Sequence, residues 1–125
     1  MRTTFTLAAT ALALAEPAVA QHTPPDSATI ARAMAALKAD LRNYVVAQEA
    51  YFADHVTYAK SAARMPFTPS ARVTIVLLTS SADEHSAVAI HGDVPGLVCG
   101  IWVGPKAAPP LRDAAREGVP TCRTP

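Results

Sequence analysis

Between Ser27 and Asp54 the apolar and aromatic residues Ile30, Met34, Leu37, Leu41, Tyr44 and Tyr51 stand at gaps of four, three, four, three and seven, with Val45 and Phe52 beside the last two. Steps of three and four return to one side of a helix of about 3.6 residues per turn, so this spacing predicts a single stripe. A helix over that span is on the order of 40 Å long. Asp26 and Ser27 are both N-cap types and mark its start. Gln48 interrupts the stripe once, whereas Arg32, Lys38, Arg42 and Glu49 fall off it and are expected to face solvent. The same spacing would also suit a coiled-coil seam. The bulk of Tyr51 and Phe52, and strands downstream that need a cover, favour a helix laid on a sheet.

From Arg72 the period changes to two. Val73, Ile75 and Leu77 alternate with Arg72, Thr74, Val76 and Leu78, a run rich in β-branched residues that reads as a strand to Thr79, buried on one face and partly covered on the other. Ser80 to Glu84 is a polar turn, Ser86 to His91 a weaker strand with Val88 and Ile90 on one face, and Leu97 to Val103 a third strand after the turn containing Gly92, Asp93, Pro95 and Gly96. Short loops between consecutive strands imply an antiparallel meander. After Gly104 the chain is rich in Pro and Ala, which predicts an irregular tail or one short turn of helix near Leu111 to Arg116. The expected fold class is α+β: one long N-terminal helix across a meander of about three strands, with a C-terminal tail tied by a disulfide.

The first twenty residues follow a different logic. Arg2 precedes an apolar stretch from Phe5 to Ala15, Pro17 breaks any helix, and Ala18, Val19 and Ala20 present small side chains for cleavage before Gln21. This pattern predicts a secretory signal over Met1 to Ala20. A membrane anchor would need about 20 apolar residues, and Glu16 and Pro17 interrupt this run. Cleavage would leave 105 of the 125 residues, the size of one domain, residues 21 to 125. The net charge of +1, without a basic run, gives no reason to expect nucleic acid or an acidic membrane as partner.

Export also bears on Cys99 and Cys122, the only cysteines. An even count without metal-type spacing in an oxidising compartment reads as a disulfide, and closing a loop of this length contributes roughly 3 kcal/mol in the chain-entropy picture.

Candidate chemistry is sparse. His22, His55, His85 and His91 form none of the patterns that set two metal ligands on one face. His85 and His91, an even six residues apart, would share a strand face yet stand about 20 Å apart, so each histidine reads as solvated. Ser80, Ser81 and Ser86 with Asp83 and His85 supply the residue types of a triad, but triads are assembled from distant parts of a fold, and adjacency in a polar turn carries little weight. Gly92, Gly96, Gly100 and Gly104 are spread through a turn and a strand and form no phosphate loop; Gly100 and Gly104 are expected at a bulge and a strand end. Alternation sets Trp102 opposite Ile101 and Val103, with the latter two assigned to the core and Trp102 either core or surface anchor. No catalytic, cofactor-binding or metal-binding residue is assigned.

The run Leu41 to Tyr58, LRNYVVAQEAYFADHVTY, resembles the end of the long helix and the following loop of type IV pilins and pseudopilins. Cys99 to Gly104, CGIWVG, is similar to the strand of that family bearing the first cysteine of a C-terminal disulfide loop, with Cys122 near where the second sits. The likeness spans roughly residues 30 to 122. The start of the chain departs from the family. Where a prepilin has a Gly before its Phe there is Thr4 before Phe5, Ala9 stands in place of the family's Glu, and the apolar run stops at Ala15. The resemblance therefore implies a pilin-like headpiece without the segment that anchors and polymerises its relatives. Its expected work is non-enzymatic contact with other proteins or a cell-envelope surface, in the periplasm or outside the cell. The contact regions would be the loop Asp54 to Ser70 and the tail after Gly104, with Tyr58, Phe67 and Trp102 as the nearest aromatics. The alternative is a small secreted enzyme or ligand-binding protein, which a pocket bringing Ser86, His85 or His91 beside a carboxylate would favour.

Overall fold

The structure is a computed structural model and describes residues 23–114 and 116–125. The expected signal, residues 1–20, and His22 lie outside the described residues. The stripe becomes helix α1, Ser27–His55, opened by Asp26, whose side chain accepts the Thr29 N–H at 2.7 Å. It ends at Val56, which adopts a left-handed conformation (φ 56°) and donates its N–H to the Phe52 carbonyl. Glycine is the usual occupant of that conformation, since a β-branched side chain crowds the backbone there.

Strands β1 (Val73–Ser80), β2 (His85–His91), β3 (Val98–Val103) and β4 (Thr121–Arg123) form one antiparallel sheet in sequence order. The fold is thus the α+β class expected, with one more strand than the meander of about three. Strand β4 arises because Cys122 lies directly opposite Cys99 in the β3–β4 register, and the two are joined by a disulfide. The tail before it is irregular, with turns closed by the N–H groups of Ala107, Ala114 and Val119 donating to the carbonyls of Gly104, Leu111 and Arg116, and no helix among its described residues.

Alternation divides the sheet. Val73, Ile75 and Leu77 of β1, Ala87 and Ala89 of β2, and Cys99 and Ile101 of β3 meet Ala33, Leu37, Leu41, Tyr44 and Ala47 of α1 in the core. Ala87 and Ala89 on the central strand leave room for the larger helix residues, and burying each of the two leucines contributes about 1.5–3 kcal/mol. The sheet therefore takes the cover that a second helix would supply in a coiled coil. The observed centre line of the helix runs through Ala33, Leu37, Leu41, Tyr44 and Ala47, while Ile30, Met34 and Tyr51 sit at its margin. Among the described residues no helix is long and apolar enough to cross a membrane.

On the opposite face, cover is unequal. Pro110 and Leu111 fold over Gly100, where an added Cβ would lie 2.6 Å from the Pro110 ring. That close approach, not a bulge, is what Gly100 permits. The bulge is in β1 instead, between Leu77 and Thr79. Towards β1 the tail does not reach, and Val76, Leu78 and Ile90 remain 45%, 50% and 47% exposed, so the partial cover expected for this face of the first strand is missing.

Candidate interaction surface

The connection from α1 to β1 is held by two polar side chains buried in the apolar face of the helix. The Gln48 carboxamide accepts the Ala59 N–H at 2.7 Å and donates to the Ala59 carbonyl at 3.0 Å, as a neighbouring strand would. The Asp40 carboxylate accepts the Ser70 N–H at 2.7 Å and its hydroxyl at 2.9 Å. Buried polar groups are stable only when satisfied in this way. The two staples sit near opposite ends of the loop, and residues in left-handed conformations, Val56 and Arg72, flank it. Neither staple was identified from the sequence. Gln48 stood out only as an interruption of the stripe, and Asp40 lies three residues beyond Leu37 and beside Leu41, a spacing that could have marked it as inward-facing.

The stapled loop forms two hollows with the helix. One, of about 340 Å³, is a groove of mixed lining where Pro66, Phe67 and Thr68 face Asn43, Val46, Ala47 and Ala50. Phe67 packs partly on the core, and Val46, 68% exposed, forms the open rim. The other, of about 540 Å³, is polar and cationic, lined by Tyr51, Thr57, Tyr58, Lys60, Ser61 and Arg64.

Tyr58 does not project from the loop as expected of a contact residue. Its ring is buried against Phe52 and His85, and its hydroxyl donates to the Glu49 carboxylate at 3.1 Å. Burial foremost, and then the Glu49 contact, raise its pKa above the ordinary phenol value. Trp102 is likewise committed internally. It lies half-buried on the outer sheet face, with its indole N–H donating to the Ala114 carbonyl at 2.8 Å and its own carbonyl accepting from Gly118. It fastens the tail rather than standing free, while Ile101 is fully buried and Val103 partly so. Of the three aromatics, Phe67 borders the first groove and Tyr58 the cationic hollow, whereas Trp102 borders neither.

The histidines divide three ways. His55 is exposed and stacks on Tyr51 at 3.9 Å. His85 is fully buried, contrary to the solvated reading, and neither ring nitrogen has a hydrogen-bond partner. Its ring instead makes edge contacts with the rings of Tyr44 and Tyr58. Burial pushes its pKa down to about 4 and that of Tyr44 up to about 12. His91 shares the helix-side face but is partly exposed, and its Nδ1 accepts the Asp93 N–H at 3.2 Å.

The triad residue types do not converge. Ser86 faces away from His85 and bonds Thr79, Ser80 bonds the Ala59 carbonyl, and Ser81 bonds Asp83. His91 does lie near a carboxylate, 3.9 Å from Asp93, which also receives Arg72. That cluster borders a hollow of about 380 Å³ whose walls include Ile90, Val94, Leu97 and Arg123. Among the described residues no three His, Cys, Asp or Glu side chains gather as metal ligands would. In comparison with known proteins, the chain matches no protein-family model and no curated protein.

Proposed function

We propose that the chain is an exported, non-enzymatic, pilin-like module that works by contact with other proteins or a cell-envelope surface, in the periplasm or outside the cell. The observation that carries this reading is the open groove between Val46 and Phe67, whose loop wall is held by the buried Asp40 and Gln48 staples. A rigid scaffold presenting a loop is how binding surfaces are commonly built. A helix laid on an antiparallel sheet and a disulfide near the C-terminus support the pilin-like comparison. The chemistry of residues 1–20 supports export through the general secretory route, and no cofactor enters the mechanism.

The alternative of a ligand-binding protein has one observation in its favour, the His91–Asp93 pair beside a hollow that Arg123 borders. The two readings separate by experiment. Expressed in an exporting host, the protein should be released with Gln21 as its first residue, and Val46→Asp with Phe67→Asp should abolish its retention on envelope fractions while Arg123→Ala leaves it unchanged. Retention lost only in Arg123→Ala would favour the hollow. A membrane-held species still carrying Phe5, or fibres growing from the cleaved protein, would overturn the headpiece reading.

A further inference from the structure

We infer that the hollow lined by Tyr51, Thr57, Tyr58, Lys60, Ser61 and Arg64 is a binding site for a phosphomonoester group, whose attached body rests against Tyr51. This depends neither on the pilin-like comparison nor on the groove beside Phe67. Its basis is a local imbalance of charge. Two cations line the hollow and no carboxylate does. Arg72 and Lys106 each lie beside a carboxylate, Asp93 and Asp83, whereas Lys60 and Arg64 have no ion-pair partner among the described residues. The Glu49 carboxylate accepts the Tyr58 hydroxyl and does not line the hollow. The whole chain carries a net charge of only +1, so attraction for an anion is confined to this place.

The cations stand on a backbone fixed at both ends. Before them, Tyr58 donates its N–H to the Ser81 carbonyl at 3.1 Å, and Ala59 is held by the Gln48 carboxamide and by the Ser80 hydroxyl. After them, Met65 is buried in the core. Between these anchors a single 3₁₀ turn, Ala62–Arg64, is closed by Arg64 N–H to the Ser61 carbonyl at 3.2 Å, which returns Arg64 towards Ser61 and Lys60. The side chains of Lys60, Ser61 and Arg64 are left exposed on this short span, and the Ser61 hydroxyl does not cap the turn. The far wall is also set in place, because the Tyr51 ring stacks on His55 with centroids 3.9 Å apart and planes 7° from parallel.

The donor set selects the ligand. A phosphomonoester carries about −1.5 to −2 near neutral pH and three acceptor oxygens, which matches two cations and a free hydroxyl, whereas a carboxylate would leave one cation unbalanced. The planar fork of Arg64 can meet two of those oxygens together, with Lys60 supplying a point charge and Ser61 a further donor. The hollow, about 540 Å³, exceeds what one phosphate fills and leaves room for the body beside Tyr51.

Two probes carry this group from different sources: glucose 6-phosphate as a free ligand, and phosphatidic acid in phosphatidylcholine vesicles as a lipid headgroup. Saturable binding of at least one is the expected result; a response to the first alone assigns a soluble ligand, and to the second alone a membrane surface. Lys60→Gln and Arg64→Gln, both at exposed positions, should keep the circular dichroism of the fold and each weaken binding at least tenfold. Arg42→Gln, which removes the same charge from exposed helix surface, should leave binding unchanged. The inference is overturned by failure of both probes to bind at millimolar concentration, or by glucose or glucuronate binding as tightly as glucose 6-phosphate. Equal weakening in Arg42→Gln would overturn it too, since diffuse attraction would then account for the binding, as would full binding by the doubly substituted Lys60→Gln, Arg64→Gln protein.

Discussion

Two connections of similar length lie on opposite sides of the sheet and are held by different means. The loop between α1 and β1 is fixed from beneath by Asp40 and Gln48, side chains of the helix that stand in for strand partners. The tail between β3 and β4 is fixed at its far end by the Cys99–Cys122 disulfide and along its path by Trp102 and by Glu117, whose carboxylate accepts the Gly104 N–H. The first device sits within the core and depends on each polar group being satisfied. The second combines a covalent link from the core residue Cys99 to the edge strand β4, which limits the unfolded chain, with polar contacts that hold the tail on the outer face. The loop is thus ordered non-covalently by polar side chains of the helix, whereas the tail, laid on the face the helix does not cover, is tied back through a crosslink and its own polar contacts.

The largest expected effect tests the covalent half. Cys122→Ser should lower the unfolding free energy by about 3 to 4 kcal/mol, the loop-closure value for this separation. In hydrogen exchange, protection should fall in β4 and the tail and persist at Ala59 and Ser70. Equal loss at both sites would show that the two devices are not independent.

Acid should weaken the opposite side. The pKa of His85 is about 4 in the folded protein against 6.5 ordinarily, so between these values the unfolded chain binds the proton and the folded one does not. Stability is therefore full above about pH 6.5 and declines as pH falls towards 4, by about 3 kcal/mol in all. Denaturant titrations across this range should show the slope, and His85→Leu, which removes the titrating ring and its two unpartnered nitrogens, should flatten it. An unchanged slope in that variant would assign the acid sensitivity elsewhere.

The smallest effect concerns a single staple. Gln48→Leu keeps the helix and fills the site with apolar volume but leaves the Ala59 N–H buried without its acceptor, at a cost of about 2 kcal/mol. Amide exchange at Ala59 should accelerate while the tail is unaffected. Gln48→Glu should restore protection when protonated, since it can then both accept the Ala59 N–H and donate to the Ala59 carbonyl, and equal restoration in the ionised form would identify the acceptor oxygen as the part that matters.

Much of this architecture was legible along the chain. The three-and-four spacing from Ile30 to Tyr51 determined a helix whose observed limits, Ser27–His55, differ by one residue at its end from the expectation, and the alternation from Val73 onward determined the first strand. Both are local properties, because a helix or strand with one apolar side must turn that side inward. The cysteine pair likewise determined the crosslink. Tertiary structure alone decided which positions were deeply buried. Gln48 and Asp40 became core residues because their partners, Ala59 and Ser70, lie 11 and 30 residues away. His85 became an uncharged interior ring because Tyr44 and Tyr58 closed over it from the helix and the loop. Tyr58 and Trp102 turned from expected contact residues into fasteners for the same reason. A side chain's periodic position tells which way it faces, whereas whether water remains there depends on what another segment lays across it.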